Sequence, residues 1–355
     1  MYGNLPSSGR LHNASDSLVA PTGEFLSIVL PCFNEGENIL TVYERVSAAV
    51  ERCGVQWELL FVDDGSRDKT REILAELCHR DHRVKAIVFA RNFGHQAALT
   101  AGLILATGDA VVTLDADLQH PPEMIPVFIQ KWREGARVVQ GIRRAAVRSI
   151  GKALTSSLFY AWLNRFTEVE VEPSAPDYRL LDRRVVDYLN SMPERGRFLR
   201  GQITWLGFPI TRVEYDEEKR HAGAPKYTLI RMISLAKDAV TSSSMKPLFL
   251  SAWLGLVLTL AAFAYGAFGL IEKLLGHTVT GWTSLMLAIL VIGAIEMLVL
   301  SVHGLYIGQL FRESRSRPLY CIAETHGLKT GSDGTCRKPS GPSGVQYMVG
   351  VSRRD

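Results

Sequence analysis

Residues Leu248–Ile271 run for 24 positions without an acidic or basic side chain. At 1.5 Å per residue such a helix crosses a hydrocarbon core of about 30 Å, and nothing else in the chain restricts its architecture as much. A second stretch, Thr283–Phe311, is interrupted only by Glu296 and His303. The connection Glu272–Trp282 is short, so residues 248–311 are expected to form a transmembrane hairpin whose flanks share one side. Lys226, Arg231, Lys237 and Lys246 precede it and Arg312, Arg315 and Arg317 follow it, whereas the connection holds only Lys273. That asymmetry predicts a multi-pass protein of the inner (cytoplasmic) membrane with the rest of the chain, both termini included, in the cytoplasm. Within 226–247, Leu229, Ile230, Ile233 and Leu235 alternate with Arg231, Lys237 and Asp238, as in an amphipathic helix lying at head-group height. Glu296 is costly in lipid. A helix-packing or oligomer contact is favoured for it over a substrate site, and a homo-oligomer is expected.

The remaining chain reads as one large domain between two tails. Residues 1–24 are rich in Ser, Gly, Asn and Pro and lack a signal-peptide core, which predicts a flexible tail. The basic segment 312–355, rich in Gly, Ser, Lys and Pro from Thr325, is expected to be partly disordered. Between them, residues 25–225 alternate strand and helix. Strands are expected at 25–31, 57–63, 84–89, 110–115 and 137–141, and helices at about 37–53, 68–78, 95–106 and 122–134. Continuous apolar strands in this alternation predict an α/β fold with a mostly parallel sheet covered by helices. A net charge of +4 makes no case for nucleic acid. The five cysteines, Cys32, Cys53, Cys78, Cys321 and Cys336, show no zinc spacing and fit reduced thiols.

The apolar run Ala110–Leu114 ends on Asp115-Ala116-Asp117-Leu118-Gln119, followed by His120-Pro121-Pro122. Open α/β sheets bind ligands at the carboxyl ends of their strands, and a period of two turns Asp115 and Asp117 to one side. With Gln119 they form an oxygen-rich, incomplete ligand set suited to Mg²⁺ or Mn²⁺, completed by water and substrate phosphates. The alternative is that the two acids merely cap a turn. Other strand ends bring Pro31, Phe33 and Glu35, and Asp63-Asp64-Gly65-Ser66, to the same rim. Asp64 either accepts the N–H of a nucleobase edge or belongs to ordinary turn chemistry; Phe33 either walls in a base or is core. No Gly-x-Gly-x-x-Gly and no P-loop pattern is present.

Cationic groups follow. Arg143 stands just after a strand end, within reach of phosphate oxygens, while Arg144 and Arg148 read as a solvated face ahead of an apolar-periodic helix at about 149–166. Asp177 lies at a reaction centre or ends a loop. Arg195, Arg197 and Arg200 make a second basic patch, and Arg220 and Lys226 flank a Gly-Ala-Pro loop that reads either as a phosphate lid or as a lipid-facing segment.

Together these stretches resemble the polyprenyl-phosphate glycosyltransferases, relatives of dolichol-phosphate mannose synthase and the bactoprenol glucosyltransferases among the inverting GT-A nucleotide-sugar transferases of family 2. The likeness spans roughly residues 25–317 and rests on Pro-Cys-Phe-Asn-Glu at 31–35, Asp-Asp-Gly-Ser at 63–66, Arg-Asn-Phe-Gly-His-Gln at 91–96, Asp-Ala-Asp-Leu-Gln at 115–119, Arg220 to Lys226, and the hairpin. It implies a GT-A domain in which Pro31, Phe33, Glu35, Val62 and Asp64 line the base and ribose site, with Asp115, Ala116 and Asp117 at the nucleotide-sugar. By the same likeness Asp115, Asp117 and Gln119 hold the metal, and Arg143, Arg220 and Lys226 hold phosphates. Asp117, Arg143 and Asp177 are the implied catalytic candidates, Asp177 as base or positioner. His120 stands where many relatives have Asp, and Pro225 where a small hydroxyl residue is common.

The implied reaction is inverting transfer of a hexose, UDP-glucose being the first choice and GDP-mannose or another UDP-sugar the alternative, to undecaprenyl phosphate. A phosphate monoester has a second pKa near 6, so the acceptor needs aiming rather than deprotonation. A processive polysaccharide synthase is disfavoured because Gln202-Ile-Thr-Trp205 lacks Gln-x-x-Arg-Trp and two spans make a poor conduit. A non-catalytic membrane scaffold is disfavoured by the intact carboxylates.

Overall fold

The computed structural model describes residues 23–144, 176–194, 197–217, 246–275, 281–315 and 317–328. The expected helix at 149–166, the loop carrying Arg220, Pro225 and Lys226, and nearly all of the expected amphipathic helix at 226–247 lie outside them, as do Arg148 and Arg195.

Among the described residues, eight strands form a single sheet. In chain order the elements are β1 (Phe25–Cys32), α1 (Ile39–Glu51), β2 (Gln56–Asp63), α2 (Thr70–Arg80), β3 (Val84–Phe89), α3 (His95–Leu105) and β4 (Ala110–Thr113). After a short 3₁₀ turn come α4 (Ile125–Arg133), β5 (Val138–Arg143), β6 (Arg179–Asp182), α5 (Arg183–Ser191), α6 (Leu199–Trp205) and β7 (Ile210–Tyr215). Two long helices, α7 (Lys246–Leu274) and α8 (Trp282–Ser314), precede β8 (Ile322–His326). The strand order is β7-β5-β6-β4-β1-β2-β3-β8.

The central pairings β4-β1, β1-β2 and β2-β3 are parallel, as is β5-β7; β6 runs antiparallel to both β4 and β5, and β8 antiparallel to β3. Because side chains alternate across a strand, each central strand feeds two cores. Leu26, Ile28 and Leu30 of β1 and Leu59 and Phe61 of β2 pack with Ile39, Val42 and Val46 of α1, Leu74 of α2 and Phe128 of α4. Val29, Leu60 and Val62 face the other way, onto Ala98 and Leu99 of α3, Val185 of α5 and Ile203 of α6. This three-layer arrangement leaves the carboxyl ends of β1, β2 and β4 at one rim.

At 29 and 33 residues, α7 and α8 would extend about 43 and 50 Å. Both contain windows long and apolar enough to cross a membrane by length and composition. Phe249, Trp253, Phe263, Leu298 and Ile307 are among their exposed large apolar side chains.

Two expectations need correction. The segment expected as a tail from Thr325 begins inside a strand: Ile322–His326 pairs with β3, with Ile87 opposite Thr325 and Val88 opposite Glu324. Tyr320 is 4% exposed and stacks on Phe89 at 4.8 Å between ring centroids. A β-strand there satisfies the outer edge of β3, which a parallel sheet would otherwise leave open. Arg143, expected just beyond a strand, is the last residue of β5.

Candidate active site

β4 stops at Thr113, and the chain turns at Leu118, whose φ of 62° is the left-handed conformation that branched L-residues seldom adopt. The turn is held by the Gln119 amide, which donates to Asp117 Oδ1 at 3.2 Å. It brings His120 back beneath the carboxylates: His120 Nδ1 lies 3.7 Å from Asp115 Oδ2. One ligand atom each from Asp115, Asp117 and His120 fall within 4.8 Å of one another. Asp115 keeps 30% of its side chain exposed, whereas Asp117 is 8% and His120 0% exposed. Neither ring nitrogen of His120 has a hydrogen-bond partner among the described residues. Burial holds the ring neutral, outweighing the pull of Asp115 and Asp117. Two carboxylates and a neutral, unsatisfied imidazole at one strand end fit a divalent cation with positions left open for a substrate. Gln119 is half-buried on the same turn.

A second group borders the first. Asp177 is buried and receives Arg179 Nη2 at 2.7 Å and two prongs from Arg200, Nε to Oδ1 and Nη2 to Oδ2, both at 3.1 Å. His95, the first residue of α3, places Nε2 3.2 Å from Asp177 Oδ2 and 3.6 Å from Asp115 Oδ1. Burial alone would raise the Asp177 pKa, but Arg200, His95 and Arg179 hold it well below the ordinary carboxylate range. For His95, burial opposes charge, yet Asp115 and then Asp177 raise its pKa to about 9. Thr113 Oγ1 donates to the Asp177 carbonyl at 2.7 Å, which fixes this loop to the end of β4.

The rim at β2 is tied to the loop before α3. Asp64 accepts the Phe93 amide at 2.6 Å and the Gly94 amide at 2.9 Å. Asp63 accepts Ser66 N at 3.0 Å, ordinary turn chemistry. Pro31 is buried, while Phe33 and Glu35 are half-buried on the segment after β1, and Glu35 accepts Asn38 Nδ2 at 2.7 Å. Val62 is fully buried under α3 and Ala116 is 2% exposed, so their side chains pack in the core. Arg143 pairs with Glu217 at 3.0 Å. The two described members of the expected second basic patch are used internally: Arg200 grips Asp177, and Arg197 donates to the carbonyls of Leu189 and Met192.

The sequence pattern of "Glycosyl transferase family 2" matches residues 27–186. An uncharacterized glycosyltransferase of Bacillus subtilis, YkcC, is 41% identical over 85% of this chain and 94% of its own length. The chain belongs to glycosyl transferase family 2. The prophage bactoprenol glucosyl transferase homolog of Escherichia coli is 38% identical over 84% of this glycosyltransferase and 98% of its own length, and the bactoprenol glucosyl transferase of Shigella phage SfII 37% over 85% and 98%. Among solved structures, glucosyl-3-phosphoglycerate synthase from Mycobacterium tuberculosis aligns at 23% identity over 62% of this chain and 78% of that one, with a TM-score of 0.42. The fold is the GT-A arrangement the resemblance implied.

In this glycosyltransferase the structure gathers Asp115, Asp117, Gln119 and Asp177 at one rim and places Phe33, Glu35 and Asp64 on neighbouring strand ends. Sequence reasoning gave no role to His95 and treated His120 only as a departure from the pattern. The spacing of His120, five after Asp115 and three after Asp117, was the available signal; for His95 it was a histidine opening a helix right after a glycine.

Proposed function

We propose that this glycosyltransferase moves a hexose, glucose from UDP-glucose, onto the phosphate of a polyprenyl lipid at the cytoplasmic face of the inner membrane, with inversion at the anomeric carbon. The observation that carries the reading is the acidic cluster at the end of β4 in a chain whose two apolar helices leave the catalytic sheet after β7 and return to it at β8. Such a return puts both ends of the hairpin on one side, which, with the flanking Lys and Arg residues, supports a cytoplasmic domain. The names of the bacterial and phage relatives support bactoprenol as acceptor and glucose as the sugar.

In the proposed step an oxygen of the lipid phosphate attacks the anomeric carbon as the bond from that carbon to the diphosphate oxygen breaks, and the nucleoside diphosphate departs with the bonding pair. Asp115 and Asp117, with Gln119 on the same turn, would hold a divalent cation, which when bound supplies positive charge against the departing diphosphate. His95 places its Nε2 beside the same place, 3.6 Å from Asp115 Oδ1, and Arg143, with Arg220 and Lys226 from the basic loop, adds cationic donors for phosphate. Asp177, gripped by two arginines, orients Arg200 and His95 rather than taking a proton. That leaves no free carboxylate among these groups to act as a covalent nucleophile, which favours a single displacement. An exposed Glu296 midway along α8 supports pairing with a second copy.

Purified full-length enzyme incubated with undecaprenyl phosphate and a panel of labelled UDP- and GDP-sugars tests this. Label should enter the lipid fraction from UDP-glucose, with the product anomer opposite to the donor's by NMR. Entry from GDP-mannose or another UDP-sugar instead would replace the donor, and no lipid product from any donor would remove the reading.

A further inference from the structure

We propose that His120 is a protein ligand of the cation at Asp115 and Asp117, so that the site offers nitrogen as well as oxygen and prefers Mn²⁺ to Mg²⁺. This rests on reading the Asp115–Asp117 pair as a metal site. The imidazole is 0% exposed, and both of its nitrogens lack a hydrogen-bond partner among the described residues. Native structures rarely leave a buried polar group unpaired without a bound partner. Nδ1 is directed at Asp115, 3.7 Å from Oδ2, inside the cluster whose ligand atoms all lie within 4.8 Å.

The ring is also fixed there. Tyr178 and Tyr215 pack against it at 5.3 and 5.8 Å between centroids, and Tyr178 Oη donates to the carbonyl of Pro121, the next residue, at 2.8 Å. His95 is the competing imidazole, but its Nε2 already meets Asp177 at 3.2 Å and the side chain is 43% exposed. Mg²⁺ is a hard ion that takes oxygen ligands in near-ideal octahedra and parts with water reluctantly. A buried nitrogen in its shell discriminates against it, whereas Mn²⁺ accepts the mixed set.

The experiment uses the full-length chain in detergent with Mn²⁺ alone, followed by pulsed electron paramagnetic resonance. Bound Mn²⁺ should show ¹⁴N hyperfine coupling, replaced by ¹⁵N coupling when histidine is ¹⁵N-labelled. The coupling should persist in a double variant that removes His95 and the histidine of the Arg220–Lys226 loop (His95→Gln, His221→Gln) and vanish in His120→Phe, which keeps an aromatic ring packed between the tyrosines. Mn²⁺ affinity should drop about tenfold or more in His120→Phe, with a smaller change for Mg²⁺. Should His120→Phe fail to fold, coupling kept in the double variant still supports the assignment. Mn²⁺ bound without nitrogen coupling, or coupling lost in the double variant, overturns the role of His120 and leaves the carboxylate site standing. Absence of Mn²⁺ binding, or binding indifferent to Asp117→Ala, removes the metal reading and this proposal with it.

Discussion

Arg200 meets Asp177 through two parallel hydrogen bonds, each 3.1 Å long, and so joins α6 to the loop that leads into β6. Arg179 completes the group from beneath, with a side chain only 4% exposed. Removing the carboxylate charge strands a buried guanidinium. Asp177→Asn is therefore expected to lose about 3–5 kcal/mol of stability in thermal or chemical unfolding. If Asp177 positions Arg200 and His95 rather than serving as base, the pH–rate profile of the wild-type enzyme should show no limb assignable to a carboxylate titrating between about pH 5 and 8.

Gly65 lets the β2 turn lie against the loop that follows β3. Its φ is +73°, and a Cβ there would stand 2.5 Å from the carbonyl carbon of Arg91. Gly65→Ala must both adopt a left-handed backbone and push that loop away, at a cost of about 2–4 kcal/mol. The loop supplies the Phe93 and Gly94 amides to Asp64. Steady-state kinetics should show KM for the nucleotide-sugar rising more than kcat falls.

Asp81 gives the fold a defined acid sensitivity. Hydrogen bonds from Arg83 outweigh burial, and with Tyr43 they lower its pKa from 3.8 to about 2. A carboxylate depressed in the folded state adds stability above its unfolded pKa and loses it as pH falls toward the folded value. The increment, about 2 kcal/mol, should be complete above about pH 5 and vanish near pH 2. Unfolding measured across that window should show Asp81→Asn less stable than the wild type at pH 6 and equal to it at the acidic end.

The parts of the fold that could be read from sequence are those whose signal is local. Buried strands β1 to β5 announce themselves as apolar runs, and Asp115 and Asp117 follow from where such a run ends. What escaped depends on partners far away in the chain. Nothing in Ile322–His326 identifies β3 as its neighbour, and nothing in Arg200 identifies Asp177, so one was read as a tail and the other as a free cation. Val62 has the right place in a motif, but the period of two turns its side chain under α3. His95 reaches Asp115 only because α3 starts at the same rim where β4 ends, a consequence of the crossover and not of spacing.

Tyr320 is where the chain, returning from α8, meets the catalytic sheet. Its ring lies 4.8 Å from Phe89, and Phe89 meets Phe93 edge-on at 5.8 Å, next to the amides that bind Asp64. Tyr320→Ala empties that stack and should cost about 3 kcal/mol, with Tyr320→Phe losing less because the stacking survives. Hydrogen exchange should report faster amide exchange across β8, β3 and residues 91–94 in the alanine variant. Unchanged exchange in 91–94 would separate the returning strand from the rim.

Asp117 is 8% exposed at the end of the β4 run and accepts the Gln119 amide at 3.2 Å. Losing that bond costs on the order of 1 kcal/mol, too little to unfold the domain. If its main task is to hold a cation against a departing diphosphate, Asp117→Ala should lower transfer by about a hundredfold or more while circular dichroism and membrane insertion stay as in the wild type. Chelation should abolish transfer by the wild type as well, and added Mn²⁺ or Mg²⁺ should restore the wild type and leave the variant inactive. Turnover retained by Asp117→Ala would discard the assignment of the cation to the end of β4.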